Sequence, residues 1–147
     1  MAKLSVIQFE VLGEPRPKAR HRTARTKDGR LIQYNDKKAM DQVENFQAQA
    51  VRFAPPEPIS GAISVVIAAY MSIPASWSKK KKEQARKGEI RPTKKPDFDN
   101  LAKFVGDSLN GIFWQDDKQI VSARVMKFYS DRPRWEIEVS GNVETNG

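Results

Sequence analysis

The stretch GAISVVIAAYM, Gly61 to Met71, carries apolar side chains at successive positions rather than alternate ones. A strand with one wet face alternates, because neighbouring side chains leave opposite sides of the pleat. A run that is apolar on both faces belongs in the middle of a sheet. It is also far shorter than the roughly 20 residues needed to span a bilayer. This segment commits the chain to a sheet with Gly61 to Met71 inside it, and the remaining elements must supply its neighbours and its cover.

Periodicity identifies them. Leu4 to Leu12 alternates, with Ile7, Phe9 and Val11 on one face, and reads as a strand. GEPRPKARHRTARTKDGR is rich in Pro, Gly and charge and is expected to be an exposed loop, closed across Asp28-Gly29 by a short extended piece, Leu31 to Tyr34. From Asp36 to Phe53, Ala39, Val43, Phe46, Ala50 and Phe53 follow helical spacing, with Asn35 or Asp36 to cap the start and Pro55-Pro56 to stop it. PASWSKKKKEQARKG suggests a short exposed helix, anchored by Trp77 and ended at Gly88. A second main helix runs from Asp99 or Asn100 to Asn110, presents Leu101, Phe104, Val105, Leu109 and Ile112, and ends at Asn110-Gly111. Ile120 to Tyr129 and Arg134 to Val139 are the last strands, with Trp135, Ile137 and Val139 facing in. This order predicts an α+β fold: a single domain over residues 1–147, a mixed β-sheet with two main helices packed on it, and two basic loops at about 14–30 and 74–96. A flexible tail is expected from about 141 to 147.

The net charge of +8 is unevenly spread. Arg16 to Arg30 has seven basic residues and one acid, and Lys79 to Lys95 has nine and two. These stretches therefore hold +13, and the rest of the chain holds −5. Basicity confined to two patches suits a surface that meets a polyanion. The candidate contacts are Arg16, Lys18, Arg20, Arg22 and Arg25 in the first patch, and Lys79, Lys80, Lys81, Lys82, Lys94 and Lys95 in the second. There is no cysteine, which removes disulfides, thiolate metal sites and cysteine nucleophiles and suits a reducing cytoplasm. The single histidine, His21, leaves Ser-His-Asp chemistry without a basis. The N-terminus lacks the apolar core of a signal peptide, so neither export nor membrane attachment is expected.

Against that basic background stands KPDFDNLAK, followed by the pair Asp116-Asp117. Asp97 and Asp99 would project side by side if the chain enters the helix extended. Two carboxylates about 4 Å apart repel by roughly 4 kcal/mol at an effective dielectric near 20. Solvation, protonation of one member or a bound cation relieves this, and Mg²⁺ takes one or two carboxylates of this kind. Lys103 follows Asp99 at i+4 and Asp107 at i+8 on the same helix side. Of Asp116 and Asp117, which face opposite ways in extended chain, one can join the first pair. Each feature also has a plain structural reading. Asp99 can be a helix cap, Asp116-Asp117 a solvated turn, Lys103 and Asp107 surface charges, and the three tryptophans packing residues. Acids beside a lysine, flanked by basic patches, favour a metal-dependent enzyme acting on nucleic acid. A non-catalytic nucleic-acid-binding module and a metal nuclease for other branched or single-stranded DNA remain the alternatives.

KKPDFDNLAKFVGDSLNGIFWQDDKQIV resembles the signature of the RusA-type Holliday junction resolvases, a family common in prophages. The shared pattern is D-x-D-N-L-x-K, a D-[AS]-L step in a helix, a hydrophobic-aromatic pair and D-D-x-Q-[IV]. The resemblance is specific from Lys95 to Val121 and looser upstream. It implies catalytic roles for Asp97, Asp99, Lys103 and Asp117, with Asp97, Asp99 and Asp117 as metal ligands and Asp116 and Asp107 in support. It also implies Mg²⁺ as cofactor with Mn²⁺ substituting, no organic cofactor, a homodimer, and four-way DNA junctions nicked symmetrically on two opposed strands.

Overall fold

The computed structural model describes residues 2–17, 21–35 and 37–144. In chain order the strands are β1 (Ala2–Leu12), β2 (His21–Arg25), β3 (Leu31–Asn35), β4 (Ile63–Ser72), β5 (Ile120–Ser130) and β6 (Arg134–Glu144). The helices are α1 (Lys37–Ala50), α2 (Lys79–Arg86) and α3 (Phe98–Leu109). Four strands make one sheet in the order β1-β6-β4-β5. β4 lies inside it, as its apolar run requires, antiparallel to β6 and parallel to β5. The sheet is therefore mixed, and the β4-to-β5 crossover carries both α2 and α3.

One face of the sheet meets helices. Ile63, Val65, Ile67, Ala69 and Met71 of β4, Trp135, Ile137 and Val139 of β6, and Phe9 and Val11 of β1 are buried there. α1 adds Phe46 and α3 adds Leu101, Val105 and Leu109 to the same core. Phe46 sits edge-on to Phe104 at 5.3 Å and to Trp135 at 5.5 Å, and Phe104 stacks on Trp135 at 5.2 Å. Such pairs add to the apolar burial that holds α1 and α3 down.

Among the described residues no helix packs on the opposite face. Tyr70 and Phe128 stack there at 5.1 Å, and guanidinium groups close the row at both ends, Arg134 3.9 Å from the Tyr70 ring and Arg91 4.1 Å from Phe128. Arginines placed over the rings give β4 and β5 side chains a cover that a helix would otherwise supply. Burial pushes the Tyr70 hydroxyl up.

Several boundaries differ from the sequence reading. The first basic segment is not all loop, since His21–Arg25 pairs antiparallel with Leu31–Asn35 across the expected turn. The helix expected to run to Phe53 gives way after Ala50 to a tighter 3₁₀ turn, Val51–Phe53, ahead of the prolines. α3 starts at Phe98, ahead of the expected start at Asp99 or Asn100, so Asp97 rather than Asp99 holds the N-cap position. β6 continues to Glu144, with residues 141–144 paired to β1 where a tail was expected.

Gly141 marks how tightly β6 packs on the chain entering β4. An added Cβ would lie 2.9 Å from Ile63 Cγ2 and 3.1 Å from Ile59 Cγ2, both buried. Gly141→Ala is therefore expected to destabilise the fold by about 1–3 kcal/mol through overpacking. The measurement is the denaturant midpoint, and an unchanged midpoint would show that these two isoleucines can move.

Candidate active site

α3 carries the acidic motif at its N-terminal end. Asp97 is extended (ψ 156°), and its carboxylate makes no capping hydrogen bond; Asp99 lies in the first turn. The side-by-side projection expected for an extended chain does not hold, because the backbone is already helical at Phe98. The two acids share a helix end instead. Negative charge is favoured there by the unpaired N–H groups and the helix dipole, which offsets part of the mutual repulsion. Asp97, Asp99 and Lys103 are exposed and Asp107 is half-buried. None of the four has a side-chain hydrogen bond or ion pair among the described residues.

The second acidic pair is divided by the 3₁₀ turn Asp117–Gln119 that leads into β5. The Asp116 carboxylate caps that turn, accepting from Lys118 N at 2.9 Å. Asp117 turns toward α3. Its Oδ1 accepts from Trp114 Nε1 at 2.7 Å, and its carboxyl lies against Gly106. Gln119 fixes the turn from beneath. Its Oε1 accepts from the backbone N–H of Gln115 and Asp116, both at 2.8 Å. Its Nε2 donates to Ile59 O at 2.7 Å and Gly61 O at 2.9 Å. The D-D-x-Q spacing thus joins the turn to the entrance of β4.

Asp99, Lys103 and Gly106 follow one another at i, i+4 and i+7 and share a helix face. Seven residues of helix span about 10 Å, so Lys103 lies between the acidic helix end and the docked Asp117. Among the described residues, no three Asp, Glu or His side chains stand together closely enough to form a metal-holding group. Asp97 and Asp99 come to one place, and Asp117 is held about two turns farther along. Unpaired, hard carboxylate oxygens at one helix end fit a Mg²⁺ ion, which commonly takes one or two protein carboxylates and completes its shell with water and phosphate.

The family profile "Endodeoxyribonuclease RusA" matches residues 13–140. The chain belongs to the RusA family. It is accordingly an endodeoxyribonuclease, a hydrolase acting on DNA. It is also 38% identical over 138 residues to "Uncharacterized protein YqaN" of Bacillus subtilis (strain 168), covering 92% of this chain and 96% of that one. No helix among the described residues is long and apolar enough to cross a membrane.

In this RusA-family chain both basic segments begin at the carboxyl end of β4. Glu14 accepts from Ser72 N at 3.1 Å, so the first basic segment leaves from the last residue of β4. α2 follows β4 directly, with Lys79, Lys80 and Lys81 exposed and Lys82 half-buried. The Lys81 ammonium lies 4.0 Å from the Trp77 ring, and that indole packs edge-on to Tyr129 at 5.1 Å. Arg86 grips Asp131 at 2.7 Å, tying α2 to the β5–β6 turn and drawing the Asp131 carboxyl below its usual range. Lys94 and Lys95 are exposed immediately before Asp97. α3 descends from this end: Phe104 stacks on Trp135, which pairs with Ala69 late in β4, whereas Phe113 O accepts from Ile59 N before β4 begins. Asp97 and Asp99 therefore sit at the end where both basic segments start. Ligands in open α/β sheets favour this carboxyl-end position.

Arg16 is paired with Glu14 at 3.2 Å, which leaves less of its charge for a partner, and Arg25 is exposed on β2. Lys18, Arg20 and the Arg22 side chain lie outside the described residues. Trp114, Gly106 and Gln119 are the site neighbours that periodicity did not single out. Trp114 read as a packing residue, which it also is at 0% exposure; its indole N–H three residues before Asp117 was the available signal.

Proposed function

We propose that this RusA-family endonuclease resolves four-way DNA junctions as a homodimer, nicking two opposed strands symmetrically, with Mg²⁺ as cofactor and Mn²⁺ able to replace it. The observation that supports this reading most is that Asp97 and Asp99 lie at the carboxyl end of β4, where both basic segments begin. Basic side chains there would bring a phosphodiester backbone to the carboxylates, and binding would weaken steeply with salt.

Asp97 and Asp99 would hold the ion directly, and Asp117, seated about two turns farther along α3, would act on the same DNA strand from the other end of this face; the ion would polarise the scissile phosphate and supply a water nucleophile near neutral pH. A strand lying along α3 would meet carboxylates at both ends of this face and the Lys103 ammonium between them. Lys103 would stabilise negative charge building on the phosphate oxygens, a preorganised cation acting where charge develops. Asp116, already spent as a turn cap, supports the turn rather than the ion. Nicks leaving 5′-phosphate and 3′-hydroxyl ends would be open to ligation. The two-fold symmetry of a four-way junction calls for two such sites, and hence a self-complementary subunit interface.

A substrate panel tests the reading against the alternative of a nuclease for other branched or single-stranded DNA. A mobile four-way junction, a three-way fork, a linear duplex and a single strand are each incubated with protein and Mg²⁺. Paired, symmetric cuts in the four-way junction, at a rate well above the others, are expected. Equal rates on all four substrates would overturn junction specificity.

A further inference from the structure

Gly106 occupies the interior of α3, where glycine is normally inferior to alanine. No left-handed backbone excuses it, since its φ is not among the positive ones. What surrounds it does. The three heavy atoms nearest to a Cβ built on Gly106 all belong to the Asp117 carboxyl, with Oδ2 at 3.2 Å and Cγ and Oδ1 at 3.6 Å. That spacing is tight for a methyl group, and the carboxyl has little room to give. Its Oδ1 is held by the Trp114 indole N–H at 2.7 Å, and Trp114 is fully buried. The turn that carries Asp117 is fixed in turn by Gln119, through Ile59 O and Gly61 O.

We infer that Gly106 and Trp114 are positioning residues that together form a seat for Asp117 on α3: the glycine leaves the space and the indole holds the carboxyl in it. The bare helix surface lets the carboxyl lie against the same face that carries Lys103. The indole N–H, buried and in need of an acceptor, holds one oxygen and leaves Oδ2 toward the helix. Two costs elsewhere in the design point the same way. A helix-interior glycine and a buried indole oriented toward a half-exposed acid both make sense if the acid's place matters. The inference rests on Asp117 being a site carboxylate, as proposed above.

The test compares Gly106→Ala, Trp114→Phe, their combination, and Asp117→Asn in the full-length protein. Melting temperature, four-way junction affinity without metal, and single-turnover cleavage with Mg²⁺ are measured for each. Gly106→Ala is expected to change the melting temperature little, because the gain from a better helix former offsets the close contact with the Asp117 carboxyl, yet to slow cleavage about tenfold or more. Trp114→Phe keeps an aromatic ring but loses the donor and part of the packing volume, so the melting temperature should fall, and cleavage should fall about 10–100-fold with junction affinity unchanged. The double variant should lose no more than the worse single, because both act through one carboxyl. A purely structural pair would show additive losses of stability and wild-type cleavage. If Asp117→Asn is inactive while Gly106→Ala and Trp114→Phe cleave normally, the seat is wrong and the site reading stands. If Asp117→Asn itself cleaves normally, Asp117 is no site residue and both fall. Should Trp114→Phe fail to fold, Gly106→Ala alone decides the question.

Discussion

Asp97→Asn is expected to abolish junction cleavage while leaving junction binding intact or slightly tighter. The substitution is close to isosteric and should not disturb the fold. Asp97 occupies the N-cap of α3 without a side-chain capping bond, is exposed, and has no ion pair among the described residues. Asparagine is as good an N-cap residue as aspartate, so helix stability has no reason to fall. What disappears is half of the charge at the helix end where Mg²⁺ is proposed to sit. A drop of at least about a thousandfold in single-turnover rate would correspond to roughly 4 kcal/mol of lost transition-state stabilisation. Binding should respond in the opposite direction, since one negative charge near the phosphates has gone. Labelled four-way junction, a melting curve and a binding titration without metal separate the three quantities. A variant that melts like wild type and still cuts at the wild-type rate would remove Asp97 from the site and leave the helix-end acids with a purely structural role.

How much of this could be read from the chain depends on whether a residue's role leaves a periodic trace. β4 was legible because a sheet interior tolerates apolar side chains on both faces, and α3 because five apolar positions recur at helical spacing. β2 was not, because HRTAR has no apolar alternation. Its partner strand β3 begins with Leu31 and Ile32, which remain exposed at 66% and 48%, so the hairpin buries too little to leave a pattern. The continuation of β6 to Glu144 was missed for a related reason: SGNVE looks like a tail until β1 is there to pair with it. The start of α3 shifted by a residue or two because Asp, Phe and Asn are all tolerated near a helix N-terminus. That small shift changed the geometry at the site, turning an extended pair of acids into an N-cap and a first-turn residue. Lys103 and the helix side it occupies followed directly from helical spacing. The vacancy at Gly106 did not, because it depends on the loop from Asn110 to Gln119 folding back onto α3, a tertiary event; the Asp117–Trp114 bond left only the three-residue spacing of indole and acid as a trace.

Lys103→Ala carries the second large effect. Turnover should fall about 10²–10³-fold, the usual loss when one preorganised charge-stabilising donor is removed, with junction affinity little changed. Lys103 is exposed on α3, and alanine is a strong helix former there, so stability should be unaffected. Its i,i+4 relation to Asp99 gives only the weak support of a surface pair, and no ion pair joins the two among the described residues. If affinity is spread over many phosphate contacts in the two basic segments, as proposed, one ammonium removed from α3 should change it only slightly. On the proposed reading the rate would depend on that ammonium's position between the helix-end acids and Asp117. Lys103→Arg sharpens the argument, because it keeps the charge but moves it into a broad planar fork of different reach. Partial recovery by arginine would place the role in the charge, and no recovery would place it in a compact ammonium at that one point. If Lys103→Ala lost junction binding and turnover in equal measure, the lysine would be one more phosphate contact, and charge stabilisation at the scissile phosphate would have to come from another residue of the α3 face.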